Sequence, residues 1–150
     1  MMYKRTSQIV FYSVLIVITV IAIPAVNALI SNSVTIGNTG SIKAIGVSVY
    51  WDLECTNEVS SLDWSVLEPD SSENKIIYIK NIGNAAETLS LDTENWNPAN
   101  ASTYITLTWN YDDLPIDPDE VAEVTMTLTI SPSITGITSF SFDILIIGSG

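Results

Sequence analysis

Five carboxylates crowd one short stretch of the chain: Asp112, Asp113, Asp117, Asp119 and Glu120. Hard cations such as Ca²⁺ take several carboxylate and carbonyl oxygens, and a loop between strands can converge them. The spacing matches no EF-hand loop, and Pro115 and Pro118 hold parts of the segment extended. The other reading of the same residues is a solvated acidic turn. Paired carboxylates also serve glycosidases as acid and base, but no feature of the sequence sets one carboxyl apart in a cleft. The chain has no His, which removes the commonest general base, proton shuttle and zinc ligand. Ser–His and Cys–His nucleophile arrangements are excluded with it. Cys55 is the lone cysteine, so it closes no internal disulfide and builds no cysteine metal cluster. It reads as a small buried apolar side chain or as an intermolecular or redox thiol. The expectation is a chain that is not an enzyme, with no cofactor unless the residues from 112 to 120 hold calcium.

Charge narrows the partners. Beyond Arg5, only Lys43, Lys75 and Lys80 oppose seventeen acids. Such a field repels a phosphate backbone, so nucleic acid is not an expected partner. Anionic lipid headgroups are repelled as well, and the acidic surface suits solubility outside the cell.

The N-terminus is of another kind. After basic Lys4 and Arg5, residues 9–23 (IVFYSVLIVITVIAI) form an apolar run, followed by Pro24 and Ala25-Val26-Asn27-Ala28. This pattern fits a secretory signal peptide cut after Ala28. An uncleaved membrane anchor fits too, since residues 9–30 are long enough to span a bilayer. A pilin-type leader, with the hydrophobic helix retained from Gln8, is a third reading, though Lys4-Arg5-Thr6-Ser7 matches its cut site poorly. In the first two readings the rest of the chain lies outside the cell.

From there the chain speaks in β-strands. Residues 29–40 form a short β-capable stretch ending in Gly37-Asn38-Thr39-Gly40. Residues 42–51 alternate, with Ile45, Val47, Val49 and Trp51 on one parity, and Leu62-Asp63-Trp64 reads as a short strand. Residues 76–98 read as strand, Gly/Asn turn, strand and Trp96, a central hairpin with its register set by Asn81-Ile82-Gly83-Asn84. Residues 104–111, 121–130 and 137–147 alternate cleanly, the last with Phe140, Phe142, Ile144 and Ile146 on one face. Period-two alternation bounded by Gly, Pro and Asn marks half-buried antiparallel strands. The expected fold is all-β: an Ig-like or jelly-roll antiparallel β-sandwich of about seven strands, preceded by one N-terminal hydrophobic helix. The expected organisation is a signal peptide or anchor over 1–28, an N-terminal strand or linker over 29–40, and the sandwich over 41–150.

Three further features bear on function. Asn100-Ala101-Ser102 is an N-glycosylation sequon, a surface acceptor in a secreted protein. The tryptophans and tyrosines could stack on sugars, but Trp51 and Trp109 sit on apolar parities that suit a core, and Trp96 could plug one end. Residues 29–38, freed by cleavage after Ala28, could add as a strand to the open edge of a neighbouring sandwich. The same segment could equally pair within its own domain.

The phrases Gly40-Ser41-Ile42-Lys43, Val49-Tyr50-Trp51-Asp52, Leu62-Asp63-Trp64, Asn81-Ile82-Gly83-Asn84, Trp96-Asn97-Pro98 and Phe140-Ser141-Phe142-Asp143 give the chain a resemblance to small secreted β-sandwich surface proteins of archaea. That group resembles the TasA/camelysin proteins and the archaeal bundling pili. Pro118-Asp119-Glu120-Val121 also resembles a phrase of Ig-like surface modules. The resemblance implies polymerisation by donor-strand exchange. Together these readings predict a non-enzymatic extracellular structural or adhesion protein, secreted or anchored with its C-terminal domain outside. Its partners would be other copies of itself, other surface proteins, and the membrane if the helix is uncleaved. A cell-surface glycan- or calcium-binding module and a pilin-like subunit are the alternatives.

Overall fold

Residues 121–130 and 139–149 carry the strictest alternation in the sequence, and the interior is built around them. A computed structural model describes residues 36–150. The expected signal peptide or hydrophobic helix, and residues 29–35, lie outside the described residues. The described chain runs β1 (Gly37–Ile45), β2 (Val47–Tyr50), β3 (Ser61–Asp63), β4 (Ser72–Asn81), β5 (Thr88–Asn97), a 3-10 turn (Ala99–Thr103), β6 (Ile105–Trp109), β7 (Val121–Ile130) and β8 (Ser139–Ser149). These strands form two four-stranded sheets, ordered β3-β1-β8-β5 and β2-β4-β7-β6. Val124, Met126, Leu128 and Ile130 of one sheet join Phe140, Phe142, Ile144 and Ile146 of the other in a single buried cluster, with Ile77, Ile79, Leu62 and Trp64. The protein is therefore all-β and sandwich-like. Thr106, Thr108 and Thr129 lie exposed on the outward parity, where a β-branched side chain suits the pleat and its hydroxyl stays wet.

Several expectations change. Residues 76–98 are not a hairpin: β4 pairs with β2 and β7, whereas β5 pairs with β8 in the other sheet. Alternation reports which face of a strand is buried but not which strand lies beside it. The stretch 42–51 is likewise two strands, split at Gly46, where the backbone takes φ 76°. A Cβ there would also stand 2.7 Å from a carboxylate oxygen of Glu87, so both conformation and space call for glycine. Past this corner Val47 and Val49 are buried, but Trp51 is 38% exposed at the start of a turn rather than in the core. The turn-like Gly37-Asn38-Thr39-Gly40 is the first part of β1, and Ile36 before it is fully buried, so the sheet begins ahead of residue 41. Pairing is antiparallel except between β1 and β8, which run parallel over nine residues from Gly37↔Ser139 to Ile45↔Ile147.

The connection from β4 to β5 is held by Asn81, which is fully buried at the end of β4. Its Nδ2 donates to the Ala85 carbonyl at 2.7 Å and the Ile116 carbonyl at 2.9 Å. Its Oδ1 accepts the Gly83 N–H at 2.8 Å. The main chain adds Asn81 N–H to the Glu120 carbonyl (3.1 Å) and Asp119 N–H to the Asn81 carbonyl (3.0 Å). A buried amide is costly unless its donors and acceptor are met, and here they are. Asn81→Ala removes the side-chain partner of the Ala85 carbonyl and of the Gly83 N–H and one of two partners of the Ile116 carbonyl, which keeps the Glu87 N–H, so it should destabilise the fold by about 2 kcal/mol in denaturant unfolding. A loss below about 1 kcal/mol, within the range of an ordinary surface change, would show that water replaces the amide.

Candidate functional site

The acidic loop between β6 and β7 spends its carboxylates locally. Asp112 Oδ1 accepts the Leu114 N–H at 3.2 Å. Glu120 Oε2 accepts the Asp117 N–H at 2.8 Å while the Glu120 N–H donates to the Asp117 carbonyl at 3.0 Å. Asp119 pairs with Lys80 Nζ at 3.2 Å, an exposed contact of small energetic weight. Asp113 and Asp119 take positive φ values of 63° and 65°, a conformation Asp tolerates in turns. Buried Ile116 anchors the loop and bridges to Glu87. The five acids thus share a loop, but among the described residues no group of three or more His, Cys, Asp or Glu side chains converges as a metal site would require. Asn100 is exposed in the 3-10 turn that follows the cis Asn97–Pro98 bond, with Ala101 buried beneath it.

The tryptophans divide. Trp64 is fully buried. Trp109 is half-buried beside Tyr111. Trp96 lies nearly flat on Phe142, with ring centroids 4.1 Å apart. No row of exposed aromatic rings crosses a described sheet face.

The four sheet edges differ in how they are closed, and this is the feature that sequence reading missed. An exposed edge offers unpaired main-chain groups to any other strand. β2 is covered by its own chain: Val59 N–H donates to the Val49 carbonyl and Trp51 N–H to the Asn57 carbonyl, both at 2.8 Å. β3 is three residues long. On β5, Glu87 is bridged by Ile116, the Leu89 N–H donates to the Tyr111 hydroxyl at 3.3 Å, and the Thr93 N–H donates to Asp92 Oδ1 at 2.7 Å. A register shift between Glu94 and Asn97, with Asn95 at φ 55°, then bends β5 away. Among the described residues β6 has no such guard. Its ladder to β7 is continued at either end by Ser131 N–H to the Tyr104 carbonyl and Asn110 N–H to the Thr125 carbonyl. Antiparallel pairs alternate, so Thr106 and Thr108 share that ladder, and Ile105, Leu107 and Trp109 turn their main-chain groups outward. The signal was present as an absence of charge, since residues 95–111 contain no Asp, Glu, Lys or Arg.

A second surface lies on the outer face of the β3-β1-β8-β5 sheet. Two clefts of about 450 and 240 Å³ adjoin there, both lined by Thr39 and Ser141. Asp143 orders this floor by accepting hydrogen bonds from the Ser41 hydroxyl and from Asn95 Nδ2, the latter at 2.8 Å. Hydroxyl and amide groups share the lining with apolar surface of similar or larger extent, with Asn97 and Ser139 at one end.

Cys55 sits half-buried at φ 57° in the turn after β2, neither a core side chain nor a fully exposed thiol. Asp52 closes that turn, accepting Thr56 N–H (2.9 Å), the Thr56 hydroxyl (3.0 Å) and Asn57 N–H (2.8 Å). The Thr56 N–H above all holds the Asp52 carboxyl below its ordinary value, against desolvation that pushes it up. A depressed carboxyl contributes stability that is present above its unfolded value and is lost as pH falls through the folded one. Amide exchange protection at Thr56 and Asn57 should therefore hold at neutral pH and fall only on acidification below the ordinary carboxylate range, about pH 4. Protection that stays flat on that acidification would mean that Asp52 does not close the turn. No protein-family model matches the chain, and no curated protein matches it.

Proposed function

We propose that the protein is a non-enzymatic extracellular structural or adhesion module, Ig-like in its packing, secreted or anchored by its N-terminal helix. It works by joining other copies of itself or other surface proteins along a strand edge. The observation that supports this reading is the unguarded edge of β6, in a molecule whose other edges are covered, short or bent. Main-chain pairing along such an edge supplies affinity with little demand on side chains. Head-to-tail addition of residues 29–35 to a neighbour would extend the contact into a filament. Ile36 is buried and Gly37 and Asn38 pair with Ser139 and Phe140 of the same chain, so the donor segment must end before them. Deleting residues 29–35 should leave folded particles no larger than dimers where the parent forms polymers by light scattering. Polymers of unchanged size after the deletion would reject donor-strand addition.

A second reading, binding of a neutral glycan, draws support from the hydroxyl- and amide-lined clefts over Thr39, Asn95, Asn97 and Ser141. Glycine accepts the positive φ of Asn95 without strain, so Asn95→Gly removes the amide and spares the backbone. That variant should lose retention on an array of uncharged glycans while melting like the parent. A parent chain retained by no glycan would dismiss this reading.

A further inference from the structure

We propose that the edge of β6 pairs with β6 of a second copy, antiparallel and two-fold about Leu107. The inference rests on the edge-joining reading above and gives that edge its occupant.

Charge points to a second copy meeting there. Two molecules of this chain repel each other over most of their surface, each with a formal net charge of −12. The uncharged run 95–111 contains the whole of β6, so pairing along this strand sets no charged side chains of the strand face to face. β6 also carries no Pro, Gly, bulge or charged side chain to discourage pairing.

The sequence of the strand fits its own reverse. With the dyad at Leu107, Leu107 faces Leu107, Ile105 faces Trp109 of the second copy, and Thr106 faces Thr108 of the second copy. Ile105, Leu107 and Trp109 turn their main-chain groups outward, so these facing pairs each exchange two main-chain hydrogen bonds. The threonine pairs fall at the closer, non-hydrogen-bonded positions, where hydroxyl partners are favourable and like charges are not. Ile opposite Trp is a favourable aromatic and β-branched pair. The two four-stranded sheets would then run on as one, ordered β2-β4-β7-β6-β6-β7-β4-β2. This contact is isologous and closes at two copies, in contrast to the head-to-tail addition of residues 29–35.

The test uses two double variants of the full chain, Thr106→Lys with Thr108→Lys, and Thr106→Glu with Thr108→Glu. Both side chains are exposed on the outer face, and circular dichroism with melting would verify that each variant folds. Sedimentation should show pairing weakened about tenfold or more in each variant alone, because like charges face each other directly. An equimolar mixture should restore pairing, with Lys opposite Glu at both positions. Loss of pairing without rescue on mixing would overturn two-fold self-pairing and assign the edge to another segment. Unchanged pairing in both variants would overturn β6 as the contact while leaving self-association through another edge. A parent chain that is monomeric at every concentration would overturn the edge-joining reading together with this one.

Discussion

The side-chain amide of Asn81 sits where β4 leaves one sheet, where the chain turns towards β5 of the other, and where the acidic loop returns to β7. Inter-sheet connections are the weak point of a sandwich, because their main-chain groups fall outside any ladder and still need partners. One buried amide supplies three of those partners, and the main chain of the same residue supplies two more. The acidic loop is consequently tied to the domain at both ends, by Ile116 against Glu87 and by Asp119 and Glu120 against Asn81. The loop that the sequence reads as a calcium site or a solvated acidic turn is anchored to the domain by these contacts.

The sequence made the buried faces legible and the neighbours illegible. Alternation in β7 and β8 named every buried side chain there, from Val124 to Ile130 and from Phe140 to Ile146, because burial on one face is a local pattern. Sheet membership is a long-range property. Residues 76–98 have the grammar of a hairpin, and only the place of Asn81 among three segments shows that the two strands part. Gly46 misled for a related reason: the sequence alternation reads straight through it, whereas the buried positions are even in β1, at Asn38 and Gly40, and odd in β2, at Val47 and Val49, across a left-handed corner that changes sheets. The state of the strand edges was visible only in part. The lack of charge over residues 95–111 can be read directly, but its meaning depends on knowing that β6 is an outer strand while β7 is an inner one.

Charge and edge treatment belong to one pattern. Acids stand beside or on the long edge of β5, at Asp92 and Glu94, and the loop that covers its start is acidic throughout. β6, its counterpart in the other sheet, carries threonines outward and half-buried Leu107 and Trp109 inward. Charge is thus kept off the β6 strand itself while it is present on β5. The polar floor over Asp143 is a separate surface on the face of the other sheet, and it is ordered by its own hydrogen bonds.

The parallel pairing of β1 with β8 sets a condition on the chain's history. Ser41 and Asp143, which meet across that pair, are 102 residues apart, and β1 lies inside its sheet rather than at its rim. A chain delivered from its N-terminus must therefore keep β1 waiting until the last strand arrives. The parallel neighbour of β1 is supplied only by the eleven-residue β8, far along the chain from it.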